Sequence, residues 1–255
     1  MSHNPDLPRP SRRQFLQQTG LALAGAALPS ASGRTALGDD QPRKMRVAAV
    51  VTEVTYRSHA HVILENFLEP YLFNGKRVES GMEVVSLYVD QSPKGDMAKD
   101  VAKRYGITIH PTIAEALRAG RDRLAVDAVL SIAEQGRYPT NARAQVEYPR
   151  KRFFDEIVAE FRRSKATAPV FNDKHLSYRA DWAREMYDTA RTMGFGLMAG
   201  SSVPLATRRP PLELPRGARI TEAVSLHGGG LEGYDFHGQN TAIKWRNRFA
   251  AYGIK

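Results

Sequence analysis

Between residues 45 and 201 the chain alternates short apolar runs with amphipathic stretches, and no other feature limits its fold as tightly. "MRVAAVV" (45–51), "MEVVSLYVD" (82–90), "VDAVLSIA" (126–133), "APVFND" (168–173) and "FGLMAGS" (195–201) read as strands buried on both faces. The stretches between them carry helical spacing. "SHAHVILENFLEPYL" places Val62, Ile63, Phe67 and Leu68 on one side, and "DMAKDVAKRYG" does the same with Met97, Val101 and Tyr105 before a capping Gly106. "TIAEALRAG" reads as a short helix closed by glycine, and "RFFDEIVAEFRR" aligns Phe154, Ile157, Val158 and Phe161. "DWAREMYDTARTMG" starts on an aspartate, aligns Trp182, Met186, Ala190 and Met193, and stops at Gly194. Strands alternating with helices at these lengths call for a parallel sheet covered on both faces, so the expected class is α/β, a doubly wound Rossmann-like sheet.

The N-terminus does not belong to that pattern. "SRRQFLQQTGLALAGAAL" (11–28) sets Arg12 and Arg13 one residue before Phe15 and Leu16, followed by a mildly apolar run and then the small-residue stretch "SASGRTALG". This resembles a twin-arginine export signal over residues 1–38, which implies passage through the twin-arginine translocase and a periplasmic or extracellular location. Its apolar run, Leu21 to Leu28, falls far short of the roughly 20 residues a spanning helix needs, so no stable membrane insertion of the mature chain is expected. The absence of cysteine excludes disulfides, thiolate metal sites and cysteine nucleophiles. A net charge of +10 admits anionic polymers as partners, but the basic residues are scattered and no nucleic-acid motif accompanies them; "RKR" at 150–152 is one of few dense clusters. A solvated basic surface, with no nucleic-acid partner, is the expectation.

After Ser202 proline becomes dense in "VPLATRRPPLELPRG", which reads as a connector, and "ARITEAVSLHGGG" as the first strand of something new. The expected organisation is a signal (1–38), a Rossmann-like domain (43–215) and a truncated remnant of a second, α+β domain (216–255).

"YVDQSPKGDMAKDVAKRYGITIHPTIAEALRAGRDRLAVDAVLSIA" followed by "APVFNDKHLS" resembles the N-terminal domain of the Gfo/Idh/MocA oxidoreductases over roughly residues 46–215. The resemblance implies a domain that binds NAD or NADP and a second domain covering a sugar or polyol substrate whose hydride passes to the nicotinamide. It places an active-site lysine at Lys174 with its acidic neighbour Asp173, in "DKH", where His175 stands in place of the family's proline. It does not carry over to Asp235 and His237, which are two apart where the family commonly spaces these residues as D-x-x-x-H.

Position alone also marks Lys174. It follows a parallel strand, at the edge where open α/β sheets bind ligands, and an ammonium there stabilises charge on a hydroxyl becoming a carbonyl. Read as a plain loop residue, it would instead pair with Asp173. Asp90 ends the second strand, where a carboxylate accepts bonds from adenosine ribose hydroxyls and disfavours a 2′-phosphate; NAD is therefore preferred. The weak point is the first turn, where Thr52 to Arg57 occupy the positions of the glycine fingerprint. Tyr56, Arg57 and Ser58 gather at the helix N-terminus, where amides and the helix dipole attract anions, and Arg57 is positioned to replace backbone contacts to a phosphate. His59 and His61, two apart on a helix, lack the spacing of a zinc pair and read as capping or polar residues. The alternative function is a non-catalytic binding protein that holds a carbohydrate or nucleotide in the same crevice.

Overall fold

The computed structural model describes residues 43–200 together with 221, 222 and 224. The expected export signal, the expected connector from Ser202 and the stretch holding Asp235 and His237 lie outside the described residues.

Eight strands and five helices follow in chain order: β1 (Met45–Val51), α1 (His59–Leu68), β2 (Tyr71–Phe73), β3 (Lys76–Val78), β4 (Met82–Val89), α2 (Ala98–Tyr105), β5 (Thr108–His110), α3 (Ile113–Arg118), β6 (Ala128–Ile132), α4 (Arg150–Ser164), β7 (Val170–Asp173), α5 (Ala180–Met193) and β8 (Leu197–Gly200). Six strands form one sheet in the order β5-β4-β1-β6-β7-β8, every neighbouring pair parallel. The chain therefore winds outward from β1 in one direction and returns to β6 to wind the other way. This is the doubly wound α/β, Rossmann-like arrangement, with its reversal point between β1 and β6.

Strand β1 shows why the sheet must be covered twice. Val47, Ala49 and Val51 pack with Leu130, Ile132 and the α1 and α2 residues Ala60, Leu64, Ala98 and Ala102. Ala48 and Val50 face the other way, into Phe153, Ile157, Phe161 and Met186 of α4 and α5 with Ile113 and Leu117 of α3. The period of two along the strand delivers apolar side chains to both layers.

Two local readings change. The α1 helix stops at Leu68, not beyond Tyr71, and buries Ala60 and Leu64, while Val62 is exposed. The chain then turns through Asn74 (φ 50°) and Gly75 (φ 75°) in a hairpin that pairs Tyr71 with Val78 and Phe73 with Lys76. Helix α5 begins after Arg179, with Asp181 in its first turn. Gly106 (φ 68°) and Gly194 (φ 74°) do close their helices in the left-handed conformation, as the spacing predicts. Among the described residues no helix is long and apolar enough to cross a membrane.

Candidate functional site

The edge formed by the carboxyl ends of the parallel strands collects the sequence-predicted residues. Asp90 follows β4, the Tyr56-Arg57-Ser58 turn lies between β1 and α1, Asp173 ends β7 and Lys174 follows it. Asp90 and Lys174 thus share one edge. With β1 and β6 between them, the two strands that lead to these residues lie three spacings of about 4.8 Å apart in the sheet.

The β1–α1 turn keeps the shape of a ligand loop without glycine. Arg57 adopts φ 61°, the left-handed region that glycine favours. Ser58, only 2% exposed, is the α1 N-cap: its Oγ accepts from the Thr55 and His61 amides, both at 3.2 Å. Ser58→Ala is expected to lower stability by about 1 kcal/mol in urea unfolding, since it strips an acceptor from the helix entry. The amide of Arg57 donates to His61 Nδ1 (2.9 Å) and that of His59 to Gln135 Oε1 (2.6 Å). Tyr56 is 72% exposed, and the Arg57 guanidinium lies 5.5 Å from its ring centre, on the solvent side of the turn.

Asp90 sits in a closed network. Its carboxylate accepts from Tyr88 OH (2.7 Å), Tyr138 OH (2.7 Å) and Arg152 Nη2 (2.5 Å), three of roughly four lone-pair positions. Burial would raise the Asp90 carboxyl, but the hydrogen bonds from Tyr138, Tyr88 and Arg152 outweigh it and hold the group below its ordinary 3.8. Burial and the adjacent Asp90 carboxylate push the Tyr138 phenol well above its ordinary value. A depressed folded-state carboxyl adds stability that is fully present above the unfolded value and is lost as pH falls through the folded one. Acid unfolding of the wild type should therefore show a component below pH 3.8, and Asp90→Asn should flatten the urea midpoint against pH in that range.

The loop after β6 is fastened to the same corner. Gln91 clasps Arg137, accepting from its amide at 2.9 Å and donating to its carbonyl at 3.0 Å. Gly136 beside it has φ 96°, and a Cβ there would meet Tyr138 at 2.9 Å, so both backbone and space require glycine.

Lys174 and Asp173 part company. Asp173 Oδ2 lies 2.7 Å from His59 Nδ1, whereas Lys174 Nζ lies 3.6 Å from Glu134 Oε1. Glu134, at the end of β6, also pairs with Arg150 at the start of α4, and Arg150 Nη1 is 3.2 Å from His175 Nε2. All three charged groups are buried: Lys174 is 3% exposed, Glu134 6% and Arg150 1%. Lys174 itself has φ 67°, a backbone state that costs a lysine on the order of 1–2 kcal/mol. The plain-loop alternative, Lys174 paired with Asp173, is thus not what the structure holds: there are two crossed pairs, one reaching α1 and one reaching the β6 loop.

Sequence reasoning missed Glu134, Arg150 and the histidine partner of Asp173. Arg150 was placed with Lys151 and Arg152 in a basic surface cluster, yet it is one of the most buried side chains of the domain. The one available signal was the position of Glu134 immediately past the β6 strand, where edge residues converge. An apolar hollow of about 610 Å³ lies elsewhere, against α1 and the strands, lined by Val47, Phe67, Leu130, Phe171 and Met198, and holds none of these edge residues.

No protein-family model matches the chain, and no curated protein matches it. Several solved structures are similar to it. Biliverdin reductase from Synechocystis sp. PCC 6803, in complex with biliverdin and NADP+, is 16% identical, with 64% of this chain and 39% of that chain covered and a TM-score of 0.40. A Gfo/Idh/MocA family oxidoreductase from Vibrio cholerae is 20% identical over 63% of this chain and 39% of that one, with a TM-score of 0.40. Myo-inositol 2-dehydrogenase from Lactobacillus plantarum is 13% identical over 61% and 36%, with a TM-score of 0.39. The chain thus spans less than two fifths of the length of these proteins, and its fold class rests on its own strand order.

Proposed function

We propose that the chain is an exported oxidoreductase of the Gfo/Idh/MocA kind, whose carboxyl-edge crevice takes a nicotinamide dinucleotide and oxidises a secondary alcohol of a sugar or polyol. The observation that carries this reading is Lys174: a buried ammonium in a left-handed backbone at the carboxyl end of β7, held by a buried carboxylate. Burying an ion costs several kcal/mol and a buried pair seldom repays it as stability, so such a group at a ligand-binding edge points to chemistry.

The residues present leave a dinucleotide one point of contact at each end. At the α1 entry the His59 amide donates to the Gln135 carboxamide oxygen, which stands where an anionic oxygen would sit. Rotation of that one side chain opens the position, and Arg57 adds a charge at the rim. Asp90 offers ribose hydroxyls the one acceptor position that Tyr88, Tyr138 and Arg152 leave, and as a carboxylate it favours NAD over NADP. When bound, the nicotinamide supplies the hydride acceptor; Lys174 orients the substrate hydroxyl and stabilises the oxygen as the carbonyl forms. Export by the twin-arginine translocase places this activity in the periplasm or outside the cell.

Titration of the purified chain with NAD and NADP, followed by the fluorescence of Trp182 and the tyrosines, is expected to saturate, with NAD the tighter. Lys174→Ala should then lower turnover about 10²-fold or more on a polyol panel while nucleotide affinity stays within a few-fold. No saturable response to either nucleotide overturns the reading. One observation favours a non-catalytic binding protein for carbohydrates or nucleotides instead: the amides of Thr55, Arg57, His59 and His61 are already satisfied within the chain.

A further inference from the structure

We propose that His59, oriented by Asp173, is the proton acceptor of the crevice. The inference rests on the oxidoreductase reading and deepens it, because a hydride leaving a secondary alcohol requires a separate place for the hydroxyl proton. Resemblance assigns no such role to the β1–α1 turn.

Three features of the geometry support it. The Asp173 carboxylate, its side chain 12% exposed, lies 2.7 Å from His59 Nδ1, which fixes the ring proton on Nδ1 and leaves the lone pair on Nε2. In the free chain the backbone of His59 is anchored as well, at the α1 entry, where its amide donates to Gln135 Oε1. Its side chain is 32% exposed, and Nε2 has no hydrogen-bond partner among the described residues. An oriented imidazole with one accessible basic nitrogen beside a positioned carboxylate is the arrangement general base catalysis needs.

The charged groups around it are accounted for. From β7 come Asp173, on the ring, and Lys174, whose ammonium pairs with Glu134 from the β6 loop. From α1 comes His61, whose Nδ1 accepts the Arg57 amide and so is committed to the turn. His59 is the member of this group that is both oriented and accessible.

The step balances. The alcohol carbon gives its hydrogen with two electrons to the nicotinamide, the O–H bond breaks, its electron pair becomes the second bond of the carbonyl, and the proton goes to His59 Nε2. The imidazolium, paired with Asp173, then releases the proton to solvent. Lys174 holds the oxygen throughout and takes no proton.

Two measurements on the full chain decide the matter. Nitrogen-15 correlation spectra of the histidine rings should show His59 as the Nδ1–H tautomer, and Asp173→Asn should disturb that signal. A neutral His59 with its proton on Nε2 overturns the proposal even if no nucleotide binds, so this readout is separate from the cofactor reading. In turnover with NAD and a polyol panel, His59→Gln should reduce kcat about 10²-fold, remove the acidic limb of the pH-rate profile and leave nucleotide affinity within threefold. Wild-type kcat with an unchanged pH profile in that variant also overturns it. Absence of nucleotide binding with the Nδ1–H tautomer intact would overturn the oxidoreductase reading and, with it, the hydride step written above, while leaving the orientation of His59 established.

Discussion

Arg150→Ala is expected to lower unfolding stability by about 3–5 kcal/mol, the range for breaking a buried ion pair by removing one member. Arg150 and Glu134 are 1% and 7% exposed at their side chains, so truncation leaves the Glu134 carboxylate without its closest cation in a place water does not reach. A loss of that size is a large share of the roughly 5–15 kcal/mol that holds a domain together, and urea unfolding followed by circular dichroism reads it directly. The partner replacement is informative. Glu134→Leu combined with Arg150→Met should recover much of the loss, because paired apolar side chains of similar volume often equal a buried ion pair. Recovery should be incomplete here, since Glu134 also holds Lys174 at 3.6 Å and the double replacement deprives that ammonium of its carboxylate. A single Arg150→Ala variant as stable as wild type would remove the pair from the fold's support.

Phe153→Ala should cost a similar amount, about 3–5 kcal/mol, by a different route. Phe153 is fully buried in the layer formed by α3, α4 and α5, so truncation opens a cavity the packed neighbours close only in part. The ring also meets Tyr88 edge-on, centres 5.9 Å apart at 85°, and Tyr88 donates to Asp90. Core loss should therefore propagate to the Asp90 network. The acid-range component assigned to Asp90 should weaken in Phe153→Ala, whereas a cavity of similar size at Phe161, which packs on Phe195 at 5.3 Å, should leave it unchanged. Equal acid profiles in the two variants would separate the core from the network.

The sheet was legible because parallel strands covered on both sides are written as unbroken apolar runs. "MRVAAVV" coincides with β1 for that reason. The β2–β3 hairpin was not read, although Asn74-Gly75 is the strongest short hairpin signal, because the apolar Tyr71 and Leu72 were absorbed into the preceding helix. Val62 was misphased for a related reason: Ala60, small and unremarkable in a periodicity, takes the buried place. At the site, Asp90 and Lys174 were legible as strand ends, which requires only the order of elements. The partners were not. His59 and Asp173 are 114 residues apart, and Arg150 reaches Glu134 across a long irregular loop. No local spacing encodes such meetings.

The backward bend at Lys174 means that one position carries two separable properties, a charge and a reversal of chain direction that also lets its carbonyl receive the Gly200 amide at 2.8 Å. Glycine there removes the charge while easing the bend, valine opposes the bend outright, and asparagine tolerates it. Anyone disarming the lysine should therefore choose glycine or asparagine over a branched residue. A loss seen with either glycine or asparagine belongs to the missing ammonium, whereas a loss confined to valine belongs to a displaced β8.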